Sequence, residues 1–231
     1  MHKAATRTLT RSTKRPHFVA DCSGGGTQAM ASRAEIQTFK PERMLAFSDA
    51  VMAVAITLLV LDLKLPGNVN DAELGNALHA SLPNLAAYAL SFVVIGLLWI
   101  GHHQQYSQIR RVDGVLIWLN LFFLLTIGLI PFVTSLLSEH GDALATSIYA
   151  GVLVGTSLLS ALSWWYASRD PELMSADVTQ AARREGLITP LLMGAVFVLS
   201  ILIAQTWSAT AAQWSWLLLI PAGHWACKMR G

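Results

Sequence analysis

Six polar side chains fall within or beside apolar stretches of the sequence, and their types are those used in proton transfer, metal binding and nucleophilic catalysis. Asp49 supplies a carboxylate and His102 and His103 supply imidazoles, which inside a membrane are typical of proton relays. Adjacent helical residues point about 100° apart, which disfavours a metal ion shared by the two histidines. The same divergence of Ser48 from Asp49, with no glycine-rich elbow, disfavours a hydrolase. The group consists of Ser48, Asp49, Trp99, His102, His103 and Asn120.

These polar groups need partners, because an isolated carboxylate within a membrane helix costs at least about 2.5 kcal/mol on insertion scales. Two interpretations stay open at this point. The groups either join helices to one another, as polar side chains commonly do in bundles, or form a proton relay, ion pathway or gate. Trp99 and His103 are four residues apart and share a helix face, so we expect His103 rather than His102 to face the bundle.

The composition indicates whether the segments that carry these residues lie in water or in lipid. Of 231 residues, 54% are hydrophobic and 13% are charged, against roughly 25% charged in an ordinary soluble domain. This excludes a conventional soluble enzyme and favours a polytopic membrane protein. The formal net charge of +2 argues against a nucleic-acid binder. Cys22 and Cys227 lie at opposite ends of the chain, and we predict no disulfide or metal site from them.

Six apolar segments each have roughly the 17 to 25 residues that a helix needs to cross a bilayer. We expect them to be α-helical, because a lone strand would leave its backbone amides unpaired in lipid. The predicted helices lie at about 44–63, 82–100, 115–137, 143–167, 187–204 and 209–226. Residues 1–38 are basic and rich in Gly, Ser and Thr, which predicts a flexible cytoplasmic tail, and 39–231 form one six-helix domain.

The basic residues predict how this domain is oriented. If six helices alternate across the membrane, all of the 16 Lys and Arg residues except Lys64 fall on the side of the N-terminus. Because Lys and Arg resist translocation, both termini are predicted to be cytoplasmic. This topology brings the six polar residues to one level, near the cytoplasmic side of the membrane.

The first predicted helix also carries a stripe of branched apolar residues with a single hydroxyl. The stripe recurs at helical spacing and comprises Ala50, Val54, Thr57, Leu58 and Leu61. Periodicity alone favours ordinary helix packing over a pore lining, and both interpretations stay open here.

Residues 43 to 49 have the form RxxxFSD and lead into the apolar run AVMAVAITLLVLDL. This segment resembles the first helix of the transmembrane protein 175 family, the endosomal and lysosomal potassium channels and their bacterial relatives. The resemblance extends to WIGHH at 99–103, to NLFFL at 120–124 and to Ile130-Pro131-Phe132. It covers about residues 43–132. A single six-helix repeat resembles the bacterial members, since the animal members hold two.

The resemblance implies a potassium channel, without enzyme activity or cofactor, in which the first helix of each of four identical subunits lines a central pore. It places the hydrophobic constriction at Val54, which is smaller than the Ile or Leu usual in the family, with Leu58 and Leu61 as further apolar rings. Thr57 matches the threonine ring implicated in potassium preference, so permeant K⁺ is expected near it. The implied partners are other copies of the chain, the lipid bilayer and monovalent cations, and the implied location is the plasma membrane.

The resemblance also implies a role for the polar residues. Five of them, with two further residues of the first helix, resemble the family's inter-helix network that anchors that helix near the cytoplasmic side. Its members here are Arg43, Phe47, Ser48, Asp49, Trp99, His103 and Asn120.

A function of another class stays open at this point. A proton-coupled secondary transporter would use Asp49 and His103 as its relay and would show saturable, pH-driven uptake. The sequence shows no evident inverted repeat and no interrupted pair of helices, which are typical of such transporters.

Overall fold

The computed structural model describes residues 41–63 and 74–216. The predicted tail at 1–38, the residues Lys64, Cys22 and Cys227, and positions 217–226 of the sixth predicted helix lie outside these ranges. Within the described ranges the regular structure is helical, with one isolated bridge between Ile109 and Met174.

Helix α1 spans Pro41–Leu58 and continues as a 3-10 turn over Leu59–Asp62. The remaining elements are α2 (Leu74–Ala80), α3 (Leu82–Tyr106), α4 (Gly114–His140), α5 (Ala143–Arg169), α6 (Gln180–Thr206) and α7 (Ala209–Ser215). Five of them, α1 and α3 to α6, are long and apolar enough to cross a membrane. They overlap the first five predicted helices. The described part of the sixth, α7, is too short to test the predicted count.

Two predicted helix ends are wrong by more than a turn. Helix α3 runs to Tyr106 instead of 100, and α6 begins at Gln180 instead of 187. Hydropathy detects only the part of a helix that lies in lipid, whereas these two helices continue as polar turns, which include Gln104 and Arg184.

Local capping explains where the helices begin. The side chains of Asp113, Asp142, Thr179 and Ser208 each accept a hydrogen bond from the backbone amide three residues later, at 2.8 to 3.2 Å. Such N-caps satisfy amides that have no partner within the helix. Helix α4 ends at Gly141, whose φ of 61° is a left-handed conformation that glycine adopts without strain.

Helix α1 packs on α3 and α4 through one face only. Its buried residues follow the helical repeat, and they are Ser48, Met52, Ala55 and Leu59. Met52, Ala55 and Leu59 belong to an apolar core that extends through α3, α4, α5 and α6. The other side of α1 remains uncovered in the single subunit.

The connections 107–113 and 170–179 meet at one end of the bundle, which we call the inner end. The backbone amide of Arg110 donates to the Leu173 carbonyl at 2.7 Å, and that of Ser175 donates to the Gln108 carbonyl at 3.0 Å. Tyr106 and Trp164 are buried beneath these connections. The two connections are therefore fixed to each other and to the helices below them.

Helices α5 and α6 approach closely near this end. The Trp164 indole lies against Gly186, where a Cβ atom would clash with the ring. Its Nε1 donates to the Arg183 carbonyl at 2.8 Å. A glycine at position 186 is thus required by the tryptophan that packs on it.

Candidate functional site

The uncovered face of α1 carries the predicted stripe. Val54, Leu58 and Leu61 are 56%, 43% and 64% exposed, and Ala50 and Thr57 are exposed beside them. These residues lie within a span that is apolar enough to cross a membrane. The structure thus places the five residues on one uncovered side, and their role as gate and selectivity ring stays a prediction.

The 3-10 turn changes the alignment of the stripe. Residues three apart are eclipsed in a 3-10 helix, whereas in an α-helix they are about 60° apart around the axis. Because the turn covers Leu59–Asp62, Leu61 stands nearly in line with Leu58. The two leucines therefore form a straight apolar ridge.

Thr57 presents oxygen to the same face. Its hydroxyl donates to the Val54 carbonyl at 2.8 Å, which uses the only proton that the side chain has. The oxygen lone pairs then remain on the exposed side, where they are suited to a cation.

A buried polar cluster ties α1 to two neighbouring helices. The Asn120 amide nitrogen on α4 donates to Ser48 Oγ at 3.0 Å, and Ser48 Oγ donates to the Met44 carbonyl at 2.9 Å. The Asn120 carboxamide oxygen lies 2.8 Å from His102 Nε2 on α3. These bonds connect α1, α4 and α3 through side chains that are almost fully buried.

The geometry of this cluster fixes the role of His102. Since the Asn120 oxygen can only accept, Nε2 of His102 carries the proton and donates. The ring is stacked between Tyr106 and Phe123, with centroids 4.4 and 5.0 Å away. His102 is therefore held in one orientation by both hydrogen bonding and aromatic packing.

A second polar pair lies on the surface of the subunit. Trp99 Nε1 donates to Asp49 Oδ1 at 2.8 Å, which joins α3 to α1. The His103 ring lies 5.8 Å from the Trp99 ring, and its side chain is exposed. The carboxylate of Asp49 is only half-buried.

The prediction that His103 faces the bundle is wrong for the subunit, because His102 occupies that position. The spacing of Trp99 and His103 correctly places them on one face, but that face is the outer one. A signal for His102 was present in the sequence, since it continues the apolar stripe of Ile95, Leu98 and Tyr106, all of which are buried.

Arg43 and Phe47, which the resemblance assigns to the network, are both exposed on α1. The structure does not bring them into the buried cluster of the single subunit. Their role in a network stays a prediction.

Gln105 is a further residue that the sequence did not reveal. Pro190 has no backbone N–H, so the Gly186 carbonyl four residues earlier loses its helical partner. Gln105 Nε2 donates to this carbonyl at 2.9 Å, and Ser160 Oγ donates to Gln105 Oε1 at 3.0 Å. The sequence shows a proline within one apolar segment and a glutamine just beyond the end of another, but it does not show that the two helices meet there.

Comparison with known proteins gives consistent matches. The family model of the endosomal/lysosomal potassium channel TMEM175 matches residues 43–131. A potassium channel of Streptomyces collinus is 38% identical over 169 residues, which are 68% of this chain and 82% of that protein. The chicken (Gallus gallus) endosomal/lysosomal proton channel TMEM175 is 38% identical over 109 residues, which are 44% of this chain and 22% of that protein.

A solved structure agrees with these matches. The crystal structure of a lysosomal potassium-selective channel TMEM175 homolog from Chamaesiphon minutus has a TM-score of 0.68 and 25% identity. The match covers 80% of this chain and 96% of the Chamaesiphon chain. The resemblance drawn from residues 43–132 is confirmed, and the expectation that the chain is not an enzyme is confirmed with it. The chain belongs to the TMEM175 family of potassium channels and is a multi-pass membrane protein.

Proposed function

We propose that the chain conducts K⁺ as a homotetramer in which α1 of each subunit lines a central pore. The observation that carries this proposal is the uncovered face of α1, where branched apolar residues and one hydroxyl lie together inside a membrane span. The names of the Streptomyces and Chamaesiphon relatives, a potassium channel and a potassium-selective channel, support the choice of ion.

The apolar residues of this face form the gate. Rings of Val54, Leu58 and Leu61 that are narrow enough to exclude water stop ions by dewetting. Conduction then requires α1 to rotate or tilt until these side chains leave the axis. The ridge of Leu58 and Leu61 makes their two rings open together, while Val54, one turn away, opens with them only if α1 moves as a rigid body.

Thr57 provides the preference for potassium. Four hydroxyl oxygens, one from each subunit, replace part of the hydration shell of a K⁺ ion at this level. One ring of hydroxyls replaces only a small part of that shell, so we expect modest selectivity of K⁺ over Na⁺.

The polar residues act as the support of the pore helix. The buried cluster of Ser48, Asn120 and His102 holds α1 at its N-terminal half, and the Asp49–Trp99 pair holds it from the side. Among the described residues, neither attachment involves the pore-lining half of α1. The N-terminal half is thus the fixed part of a helix whose second half moves.

The orientation follows from charges at the two ends of the bundle. The inner end carries Arg110, Arg111, Arg169, Arg183 and Arg184, whereas the α4–α5 connection at the opposite end carries Glu139 and Asp142. By the positive-inside rule, the inner end is cytoplasmic. With six helices, both termini are then cytoplasmic. We place the channel in the plasma membrane, as the resemblance to the bacterial members implies.

Reconstitution in liposomes tests this function. The wild type is expected to carry K⁺ down its concentration gradient without a pH gradient. Leu58→Ala is expected to raise the resting K⁺ flux. Thr57→Ala is expected to lower the ratio of K⁺ flux to Na⁺ flux. Leu202→Ala, at a leucine on α6 that is also exposed, is the control and leaves both quantities unchanged. Absence of K⁺ flux would overturn the proposal, and saturable uptake that requires a pH gradient would favour the transporter.

A further inference from the structure

A small cavity lies between α3, α5 and α6, away from the face of α1. Its volume is about 60 Å³, and none of its lining residues belongs to α1 or α4. One part of its wall is apolar, with Leu97 and Met193. The other part is polar and consists of Gln104, Gln105, Gln108, Ser157, Ser160 and Thr189.

One polar atom on this wall lacks a partner. The Ser157 hydroxyl is buried and has no hydrogen bond to the described residues. Burial of an unsatisfied hydroxyl is unfavourable, and in high-resolution structures such atoms are usually satisfied by ordered water. The cavity is large enough to hold water, and it is polar enough to bind it.

The Gln105 carboxamide provides further hydrogen-bonding capacity on the same wall. Its Nε2 uses one proton for the Gly186 carbonyl, and its Oε1 uses one lone pair for Ser160. One proton and one lone pair remain. A water molecule in the cavity therefore has both a donor and an acceptor beside Ser157.

The cavity adjoins a larger groove at the inner end. The groove has a volume of about 580 Å³ and is lined by polar residues that include Ser107, Asp177 and Thr179. Gln104 and Gln108 line both spaces, so they form the boundary between them. The cavity and the groove are thus neighbours with a shared polar wall at the inner end of the bundle.

We propose that the cavity is a water-binding site, filled from the inner end through the groove and separate from the ion path. Its waters bind the Ser157 hydroxyl and the Gln105 carboxamide, beside the point where Pro190 interrupts the hydrogen bonds of α6. Its small volume restricts other occupants to uncharged polar molecules of similar size. The proposal does not depend on the conducted ion.

Cysteine accessibility distinguishes this crevice from ordinary exposure near the helix end. Ser157 lies 12 residues before the end of α5, about 18 Å along the helix, whereas Ser163 lies only about 9 Å from that end. Ser163 is also buried but does not line the cavity. Depth alone predicts faster reaction at 163, and the hydrated cavity predicts faster reaction at 157.

The experiment uses the full chain in nanodiscs with Cys22→Ser and Cys227→Ser as background. Ser157→Cys, Ser160→Cys and Ser163→Cys are treated with hydrogen peroxide, an uncharged polar molecule little larger than water, and oxidation of each thiol is followed by mass spectrometry. We expect the first two to react at least about tenfold faster than the third, because a thiol reacts only where the reagent reaches it. Equal rates, or a faster reaction at 163, would overturn the proposal.

A cavity-filling substitution provides the second arm. Gly101 lines the cavity, and a Cβ atom there meets nothing within 4 Å. Gly101→Val in the Ser157→Cys background is therefore expected to fold and to slow modification to the rate at 163. An unchanged rate in folded protein would contradict the assignment. Neither arm measures ion flux, so a negative flux assay leaves this test intact.

Discussion

The Gln105 side chain on α3 donates a 2.9 Å hydrogen bond to the Gly186 carbonyl on α6, which is the carbonyl that Pro190 leaves without a helical partner. The bond joins α3, which carries Trp99 and His102, to α6, with two helices between them along the chain. A defect in one helix is thus satisfied by a side chain from another.

This bond predicts a non-additive pair of substitutions. Gln105→Met is expected to lower the free energy of unfolding by about 1 to 3 kcal/mol, the cost of leaving a buried group unpaired. In a Pro190→Ala background the cost is expected to fall, because the new amide at position 190 can bond the Gly186 carbonyl. Denaturant unfolding in detergent measures both costs, and equal costs in the two backgrounds would contradict the assignment.

The adjacent histidines predict opposite sensitivities. His102→Ala removes the donor to Asn120 and the ring that stacks on Tyr106 and Phe123. It is expected to lower the free energy of unfolding by about 1 to 3 kcal/mol. His103→Ala affects an exposed ring and is expected to change stability by less than about 0.5 kcal/mol. Thermal unfolding of the two variants side by side decides this. A larger loss for His103→Ala would restore the original expectation for that residue.

The Asp49–Trp99 pair is expected to affect assembly more than ion selectivity. Asp49→Asn removes a half-buried charge beside the uncovered face of α1, and Trp99→Phe removes the donor to it. Both should lower the tetrameric fraction, measured by cross-linking and light scattering, and leave the K⁺/Na⁺ ratio near the wild-type value. Glu42→Gln, an exposed charge on the same helix, is the control. Intact tetramers with altered selectivity would place the pair in the ion path.

Two glycines on α5 and α6 predict opposite responses to the same change. Gly186→Ala puts a methyl group into the Trp164 indole and is expected to cost about 1 to 3 kcal/mol through overpacking. Gly151→Ala meets nothing within 4 Å and is expected to be neutral or stabilising by up to about 1 kcal/mol. Thermal unfolding of the two variants tests this. Similar melting temperatures would show that the Trp164 contact is loose.

The sequence predicts the membrane spans, because hydropathy indicates which segments are apolar enough to lie in lipid. It also predicts which residues share a helix face, because they recur at helical spacing. The spacing of Trp99 and His103 identifies a shared face but not whether that face is inside, whereas the apolar stripe that His102 continues marks the buried face. Hydropathy also misses the polar first turns of α6, where the cap at Thr179 begins the helix. Pairings such as Gln105 with Gly186 depend on how distant helices pack, which no local pattern reports.

The most direct test of the central claim is whether the uncovered face of α1 lies along the path of K⁺. In the cysteine-free background, Leu58→Cys is reconstituted in liposomes and K⁺ flux is measured before and after a positively charged methanethiosulfonate reagent. The account predicts that modification at position 58 changes the flux severalfold, while Leu202→Cys on α6, modified to the same extent, is unaffected. Flux that is unchanged by complete modification at position 58, or changed equally at position 202, would contradict it.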